Sequence, residues 1–476
     1  MKIYLVRPTT QSLFQITPPL SLGYLSSALK QNGYNDITLI DGSLTKISHE
    51  QVPEIMERLG LPDLIGIQVY TGLQSWAKEL VRHVRKRFPS AKIIVGGPHI
   101  TALKILALNY IEPDFGAIGE GEDIIVGLAR YLEGKVSNPH DIAGLMFKEN
   151  NKWIHPREAH GLVHDVNKIP FPDWDLLRPV NYFKYMQSAT LPIKGRHPAP
   201  ILSSRGCPYK CTFCASGLTN KRIMRYRTPE NIVEEIKLLY TKYGVDEIFF
   251  SDDNLTMDME RAEKIFDLLI NNNIKIHWRA PNGIRIDRLN ETLVDKMSKS
   301  GCYYVGVGIE TGNEEMMKKI KKVVNLKEVK NRLNLLHKYK IKVSGFFICG
   351  LIGETEEQIN ESIRFAITNP FDRIQVGPYI PYPGSEDFET VFNAGDFGKY
   401  STNVMLFQEK GTIPPFDQIE RSKLMKIQRR FLFKFYFRFK IIIPFLLNVQ
   451  LSQLKAILNH PWIQKFIKKE NIWFND

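Results

Sequence analysis

The sequence predicts an α/β protein with two successive parallel α/β units and a helical C-terminal region. Short β-branched runs alternate with longer amphipathic stretches over roughly the first 130 residues, and the alternation resumes with a different rhythm from residue 200. After about residue 400 the β pattern fades and a basic segment of helical character follows. Strands separated by helices pair in parallel, and the ligands of such sheets bind at the carboxyl ends of the strands.

The first unit, residues 1–135, is predicted to be a doubly wound sheet of the Rossmann or flavodoxin-like kind. The helix at 20–31 ends at Asn32-Gly33, a common helix stop signal. The predicted strands are 3–6, 37–40, 64–69 and 92–95, and a second helix is predicted at 76–88. The following residues, 136–195, are irregular and rich in Pro, Asn and His, so we expect a linker or strap there.

The second unit, residues 196–400, shows six strand–helix repeats. The predicted strands are 200–203, 247–251, 275–279, 303–308, 342–348 and 373–377. The predicted helices are 231–243, 261–272, 292–300, 314–320, 326–339 and 356–368. Repeats of this kind predict a parallel barrel, open or closed, with its active site at the carboxyl ends of the strands. Residues 401–476 form the predicted basic helical region.

Composition and charge exclude several classes of protein. The 476 residues are 43% hydrophobic and 24% charged, which excludes a largely disordered, collagen-like or rod-forming chain. The net charge is +13, and residues 421–476 carry twelve Lys or Arg against two acids, or +10, which leaves +3 for the remaining 420 residues. A nucleic-acid groove through the whole protein is therefore not expected, and nucleic acid is an improbable partner.

Targeting signals are not evident in the sequence. The first residues lack the apolar core of a signal peptide, and the longest apolar stretch, 431–449, is interrupted by Lys434, Arg438, Lys440 and Pro444. The five cysteines are too few for a disulfide scaffold. We therefore expect a soluble chain in a reducing cytoplasm.

Three of the five cysteines lie in one short loop after the first strand of the second unit. The loop reads Ser204-Arg205-Gly206-Cys207-Pro208-Tyr209-Lys210-Cys211-Thr212-Phe213-Cys214. Thiolates this close can converge on one metal centre, and three ligands rather than four leave one iron of a cubane cluster open. The alternatives are a zinc knuckle with a distant fourth ligand, or unpaired cysteines. Cys302 and Cys349 fall inside predicted strands and do not form a second such loop.

The Cys-x3-Cys-x2-Cys loop in this context resembles the radical S-adenosylmethionine (radical SAM) superfamily. The resemblance implies that Cys207, Cys211 and Cys214 hold a [4Fe–4S] cluster, and that SAM binds the open iron. An external one-electron donor then drives cleavage of SAM to a 5′-deoxyadenosyl radical. The resemblance also implies a set of SAM contacts: Phe213 near the adenine, Asp252 or Asp253 at the ammonium, Arg285 after the third strand, and Glu310 near the ribose.

The first unit resembles the cobalamin (B12)-binding domain that precedes the barrel in one radical SAM subgroup. The matching segments are 18–25, 41–42, 96–101 and 119–122. The cobalamin contacts implied by the resemblance are Leu20, Gly23, Tyr24, Asp41, Thr71, Gly96, Gly97, His99, Glu120 and Gly121. None of the eleven histidines follows an aspartate by two positions, so the Asp-x-His-x-x-Gly motif that supplies a lower cobalt ligand is absent. His99 is expected to be a packing histidine, and a Rossmann-like module without ligand is the alternative for the domain.

Together the resemblances imply a cobalamin-dependent radical SAM enzyme. The expected activity is methyl transfer to an unactivated carbon, through a 5′-deoxyadenosyl radical and methylcobalamin. A radical cyclase or rearrangement enzyme on the same architecture is the alternative, and a non-catalytic cobalamin-binding sensor is a rival of another class. A methylthiotransferase is disfavoured because the cysteines for a second cluster are missing. The substrate is expected to be a small or lipid-like molecule.

The C-terminal segment 424–440 interleaves aromatic and basic residues. One interpretation is a helix that packs its aromatic side chains on the barrel while its basic side chains stay in water. The other is an interfacial segment that rests on anionic lipid, which would make the protein peripheral to a membrane. RNA contact is a third and lesser alternative.

Overall fold

The N-terminal unit is a seven-stranded sheet. The computed structural model describes residues 1–10, 16–156, 162–187, 193–391 and 419–438. The strands are β1 Ile3–Arg7, β2 Ile37–Asp41, β3 Leu64–Gln68, β4 Lys92–Gly96, β5 Phe115–Ala117, β6 Leu145–Glu149 and β7 Lys152–Ile154. Their order is β2-β1-β3-β4-β5-β6-β7, with parallel pairing from β2 to β5 and antiparallel pairing of β6 and β7. The reversal of strand order between β1 and β3 creates a crevice at the carboxyl ends of the strands.

Helices cover both faces of this sheet. They are α1 Leu20–Gln31, α2 Gly42–Thr45, α3 Gln51–Leu59, α4 Gln74–Arg87, α5 Pro98–Leu103, α6 Ile105–Ile111 and α7 Glu122–Leu132. One apolar core joins α1 and α7 to the sheet through Leu29 and Leu128, and another joins α3, α4 and α6 through Met56, Leu80 and Leu108. Because helices cover both faces of the sheet, the sequences of β1, β3 and β4 are nearly continuous apolar runs.

The predicted boundary at residue 135 is too early. The hairpin β6–β7 pairs onto β5 and extends the N-terminal sheet to Ile154. β5 is only three residues long, and the hairpin covers what would otherwise be an exposed sheet edge. The predicted strap is therefore shorter than 136–195.

Residues 162–187 connect the two units and pack on both. This strap contains α8 Trp174–Leu177 and α9 Phe183–Gln187. On the N-terminal side, Ser26 Oγ donates to Asp173 at 2.7 Å. On the other side, the Trp174 indole donates to Glu235 at 3.0 Å. The strap therefore fixes α1 against the second unit.

The second unit is an open, six-stranded parallel barrel. Its strands are β8 Pro198–Ile201, β11 Glu247–Phe250, β12 His277–Ile284, β13 Cys302–Glu310, β14 Lys342–Cys349 and β15 Arg373–Pro378. Their order is β15-β14-β13-β12-β11-β8, and every pair is parallel. A small antiparallel hairpin, β9 Ser204–Arg205 with β10 Arg225–Tyr226, brackets the cysteine loop. The predicted six repeats are confirmed as an open barrel.

The helices of the second unit surround the barrel. They are α10 Gly217–Asn220, α11 Pro229–Tyr243, α12 Met259–Asn271, α13 Glu291–Lys299, α14 Glu314–Lys319, α15 Leu326–Lys338, α16 Glu356–Thr368 and α17 Glu386–Val391. The longer helices begin at side-chain caps; Thr355, for example, forms a capping box with Gln358 at the start of α16. One continuous apolar core extends between these helices and the strands.

A final helix, α18 Arg421–Tyr436, covers the edge strand β15. The Tyr436 hydroxyl donates to Ile374 O at 2.8 Å, and Gln428 Nε2 donates to Val376 O at 2.7 Å. Phe431 and Phe435 are fully buried. This part of the predicted basic tail packs on the barrel, while most of 401–476 lies outside the described residues. No helix in the described ranges has the length and apolar character needed to cross a bilayer.

Candidate functional site

The cysteine loop follows β8 and β9 at the carboxyl end of the barrel. Gly206 begins it with φ +100°, and a Cβ there would collide with Ile223 O, so the turn requires glycine. Thr212 donates its N–H to Ile320 O at 3.1 Å, and its carbonyl accepts from Asp387 N–H at 3.1 Å. The loop is therefore held on both sides by backbone bonds to α14 and α17.

The three thiols of the loop are half-buried and form no disulfide. Burial raises the pKa of all three thiols, that of Cys214 to about 11. At Cys211 the nearby cations Lys322 and Arg285 offset part of this increase. Soft sulfur donors on one short loop, with cations nearby to favour thiolates, fit an iron–sulfur cluster. Metal binding there must displace the thiol protons.

The two predicted acidic partners of the SAM ammonium have different surroundings. Asp252 is buried, and its carboxylate accepts from Ser203 N–H at 3.2 Å, Ser203 Oγ at 2.6 Å and Ser204 Oγ at 2.5 Å. These bonds tie the end of β11 to the end of β8. Asp253 is exposed and accepts from Ser216 Oγ at 2.6 Å. Of the two, Asp253 therefore presents the carboxylate that a ligand can reach.

Glu310 is aimed into the site by a distortion at the end of β13. Its φ is +67°, and the register between β13 and β14 shifts between Gly308 and Glu310. A left-handed conformation in a residue other than glycine stores strain, a feature that clusters at functional sites. The carboxylate folds back over Gly308 and pairs with Lys322 Nζ at 2.9 Å.

Arg285 and Phe213 lie at the same end of the barrel, and both side chains are held by contacts with their neighbours. The Arg285 guanidinium pairs with both carboxylate oxygens of Asp287 at 2.7 and 2.6 Å, and lies 4.2 Å from the centre of the Tyr209 ring in the cysteine loop. Arg285 therefore braces the loop. Phe213 is half-buried in an apolar cluster with the side chains of α14 and the turn after β14. Both roles toward SAM stay predictions.

A large cleft lies between the N-terminal sheet and the cysteine-loop end of the barrel. Its cavity volume is about 280 Å³, and it is partly open to solvent. Its lining comes from α1, the carboxyl ends of β3, β4 and β5, and the barrel: Ser21, Leu22, Tyr24, Leu25, Gly66, Ile67, Gln68, Tyr70, Ile94, Gly96, Gly97, Pro98, Ala117, Gly119, Glu120, Gly121, Glu122, Ile125, Leu202, Arg205 and Thr219. Most of this surface is apolar or glycine, and no described residue lining it is a histidine. The shape and chemistry fit a broad, flat ligand such as a corrin.

Half of the predicted cobalamin contacts line this cleft. These are Tyr24, Gly96, Gly97, Glu120 and Gly121. The other five do not reach it: Leu20, Gly23, Asp41, Thr71 and His99.

Packing or hydrogen bonds within the protein involve four of these five residues, and Leu20 is half-buried. A Cβ at Gly23 would collide with Leu177 of the strap, so this glycine permits close packing. Asp41 caps α2 by accepting from Ser43 N–H at 3.0 Å, and it also accepts from the Tyr182 hydroxyl at 2.6 Å. His99 is fully buried with Thr71 Oγ1 3.1 Å from its Nδ1, and burial lowers its pKa to about 4.

An ion-pair cluster joins the two units at the cleft. Glu120 contacts Arg205 at 3.0 Å and Arg225 at 2.6 Å, and Glu122 contacts Arg205 at 2.6 Å. The Arg205 guanidinium also lies 4.9 Å from the centre of the Tyr24 ring. These groups are largely buried, and the two arginines hold the pKa of Glu120 below its usual range although burial opposes this. We call these four charged residues the domain clasp.

Sequence reasoning missed most of the groups that make the site one unit. Arg205 stands two residues before Cys207, but nothing in the local pattern shows that it reaches the first domain. Lys322 and Gln68 were missed for the same reason: each acts through a tertiary contact, to Glu310 and to Ser21 Oγ respectively. Only the acidic run 119–122, which follows a strand, could have suggested a partner of opposite charge.

Comparison with known families decides the assignment of the two units. The radical SAM superfamily matches residues 201–366, and the B12 binding domain matches residues 6–129. The chain therefore contains a radical SAM domain preceded by a B12-binding domain. These two domain matches confirm the predicted family resemblance, fold class and enzyme assignment. The two domain families account for all three predicted cofactors: the cluster and SAM in the barrel, and cobalamin in the first domain.

Curated relatives of this radical SAM protein include methyltransferases and cyclases. It is 28% identical over 460 residues to an uncharacterized methyltransferase of Pyrococcus horikoshii, covering 93% of this chain and 94% of the relative. It is 26% identical to the cytidylyl-2-hydroxyethylphosphonate methyltransferase of Streptomyces wedmorensis, covering 81% and 80%. It is also 26% identical to the anaerobic magnesium-protoporphyrin IX monomethyl ester cyclase of Cereibacter sphaeroides, covering 86% and 67%.

Solved structures share its fold. The radical S-adenosylmethionine methyltransferase TsrM from Kitasatospora setae, with cobalamin and a [4Fe–4S] cluster bound, matches with a TM-score of 0.69 at 15% identity over 81% of this chain and 77% of that one. The cobalamin-dependent S-adenosylmethionine radical enzyme OxsB matches with a TM-score of 0.66 at 18% identity, over 85% of this chain and 56% of OxsB. The two-domain arrangement described above is thus a fold known in other proteins.

Proposed function

We propose that this radical SAM protein is a cobalamin-dependent methyltransferase that acts at an unactivated carbon. The observation that carries the proposal is the cleft, because both domains line it and Arg205 connects its wall directly to the cysteine loop. A ligand held in the cleft lies beside the end of the barrel where the thiols, Asp253 and Glu310 gather. Full-length similarity to methyltransferases supports the same activity.

The barrel residues have separable tasks in this proposal. Cys207, Cys211 and Cys214 hold the cluster, and Tyr209, braced by Arg285, keeps their loop in place. Asp253 binds the ammonium of SAM, since a carboxylate pairs strongly with a cation. Glu310, which pairs with Lys322, accepts hydrogen bonds from the ribose hydroxyls.

The first domain binds and orients cobalamin. The glycines at the ends of β4 and β5 let the backbone approach the ring, and Tyr24 and Leu25 of α1 form an apolar side wall. Gln68 and Tyr70 are the polar groups on the strand side, and no histidine there competes for cobalt among the described lining residues. When bound, the cluster with SAM supplies one-electron chemistry at a substrate carbon, and cobalamin supplies a transferable methyl group.

A radical cyclase is the second candidate, because a cyclase covers 86% of this chain at an identity similar to that of the methyltransferases. The two activities differ in the fate of the SAM methyl group. A methyltransferase must load that group onto the corrinoid, whereas a cyclase has no need to move it.

The test uses protein reconstituted anaerobically with iron, sulfide and cobalamin, then given methyl-labelled SAM and a low-potential reductant. We expect 5′-deoxyadenosine and label in the corrinoid fraction. Cys214→Ala should abolish 5′-deoxyadenosine formation, whereas Cys302→Ala, which removes a buried thiol from β13, should retain it. Formation of 5′-deoxyadenosine without corrinoid labelling would favour the cyclase. No SAM cleavage at all would contradict both candidates.

We also propose that α18 rests on an anionic membrane surface. Its outer face carries Lys426, Arg429, Phe433, Lys434 and Phe437, all exposed, and the two phenyl rings stack 4.1 Å apart. Basic residues beside exposed aromatic rings favour an interfacial position. Flotation with anionic vesicles should carry the parent upward and Phe433→Ser/Phe437→Ser much less. Equal flotation with neutral vesicles, or none at all, would contradict this placement.

A further inference from the structure

A histidine pair lies on the outer side of the B12-binding domain, in contact with no part of the cleft. His49 precedes α3 and His83 lies in α4, and their rings stack at 5.3 Å with an angle of 18° between the planes. Glu50, the residue at the N-cap of α3, is the third member. One nitrogen from each ring and one Glu50 carboxylate oxygen all lie within 4.8 Å of one another.

Two nitrogens of this group have no hydrogen-bond partner. His49 Nδ1 and His83 Nε2 are shielded from water and unpaired among the residues that the structure describes. Buried polar atoms are nearly always satisfied, so two unpartnered nitrogens that face one another are suited to bind a shared ion. An unprotonated imidazole nitrogen is a good ligand for transition metals, and a carboxylate completes a common three-ligand set.

Carboxylates lie close to both rings. Glu50 is a member of the group, and Glu79 lies one helical turn before His83, where it pairs with Arg82. Two carboxylates therefore flank the rings. We propose that His49, His83 and Glu50 bind a borderline divalent transition ion such as Zn²⁺, with water in the remaining position.

The site is separate from the machinery for methyl transfer. α4 begins after β3 at the cleft, and His83 lies nine residues further along it, about 13 Å at 1.5 Å per residue. The ion would join the segment before α3 to α4, beside the apolar contacts of Val52 in α3 and Leu80 in α4 and the Arg87–Glu57 pair that link the two helices. Its expected effect is to stabilise this side of the first domain, with no part in catalysis.

The experiment titrates Zn²⁺ into the full-length holoprotein, with the cysteine loop already filled by iron and sulfide. Zinc and iron per chain are counted after desalting, and the affinity is measured against a competing chelator. We expect one zinc per chain with unchanged iron. His83→Gln and the exposed Glu50→Gln should each weaken zinc binding, by at least the roughly 10- to 100-fold that loss of an outer partner costs.

His140→Gln is the matched control. His140 pairs with one carboxylate, that of Glu149, at 2.7 Å, and it belongs to no three-ligand group among the described residues. This variant should bind zinc as the parent does, and zinc should raise the thermal unfolding midpoint of both but not that of His83→Gln. Loss of iron as zinc binds, equal zinc binding by His83→Gln and the parent, or no retained zinc would each overturn the proposal.

Discussion

Asp252 and Asp253, which follow β11, have different roles although they are adjacent in the sequence. Asp252 accepts hydrogen bonds from three donors within the protein, whereas Asp253 accepts one from Ser216 and is exposed. Asp253→Asn should keep the iron content and weaken SAM binding by about tenfold or more, since a charge-assisted bond contributes about 1.5–3 kcal/mol. Equilibrium dialysis with reconstituted protein measures this.

Asp252→Asn is the matched control and should lower the thermal unfolding midpoint while changing SAM affinity less. The reverse pattern, with SAM affinity lost in Asp252→Asn and retained in Asp253→Asn, would contradict the assignment. The sequence alone leaves the two carboxylates equivalent, because only the position of Ser203 and Ser204 in space separates them.

Glu120 of the domain clasp predicts an acid sensitivity. Its folded-state pKa is lowered below the usual 4.5. A lowered pKa gives stability that is complete above the unfolded-state pKa and is lost as the pH falls through the folded-state value. Below about pH 4.5 the parent should therefore lose stability more steeply than Glu120→Gln, by at most about 1.4 kcal/mol per pH unit for one proton.

Thermal unfolding midpoints of parent and Glu120→Gln, compared from neutral to acid pH, test this. Glu57→Gln is the control, because Glu57 forms an exposed pair with Arg87, and such surface pairs contribute little stability. Parallel curves for the parent and Glu120→Gln would show that the clasp adds no pH-dependent stability.

The bounds of helices and strands are predicted best from the sequence where the spacing of apolar residues and a stop signal agree. α1 was predicted with its observed bounds, because apolar spacing and Asn32-Gly33 define both face and end. α5 and α6 were missed, since each is short and they meet at Lys104 with φ +50°, a break that no residue type announces. β6 and β7 were read as irregular because their stability comes from pairing onto β5.

The aromatic residues of the basic tail differ in how far they hold α18 on the barrel. Phe431 is fully buried against Phe347, with ring centres 5.3 Å apart, whereas Phe437 is 61% exposed. Phe431→Ala should cost about 3–5 kcal/mol of stability, as for other buried aromatic truncations. Phe437→Ala should cost far less. Denaturant unfolding of both variants measures the difference, and equal losses would mean that α18 does not pack as described.

At the scale of the whole molecule, function depends on contacts between distant parts of the sequence. Motifs predicted the cluster ligands and both domains, because each motif is local. The clasp and the cleft could not be predicted this way: Glu120 and Arg205 lie 85 residues apart, and the cleft takes its lining from both domains. Gly23 and Asp41 are predicted cobalamin contacts because their motif positions match, and in the structure both also contact the strap.

The central claim is that the cleft holds cobalamin while the neighbouring cysteine loop independently holds the cluster. The most direct measurement quantifies iron, sulfide and cobalamin in single anaerobic preparations of parent and variants. Ser21→Trp fills the cleft from an exposed lining position, and Gln31→Trp, at the exposed end of the same helix, is the control. Ser21→Trp should lose cobalamin and keep iron, Cys214→Ala should do the reverse, and Gln31→Trp should keep both. Parental cobalamin content in Ser21→Trp would contradict the account.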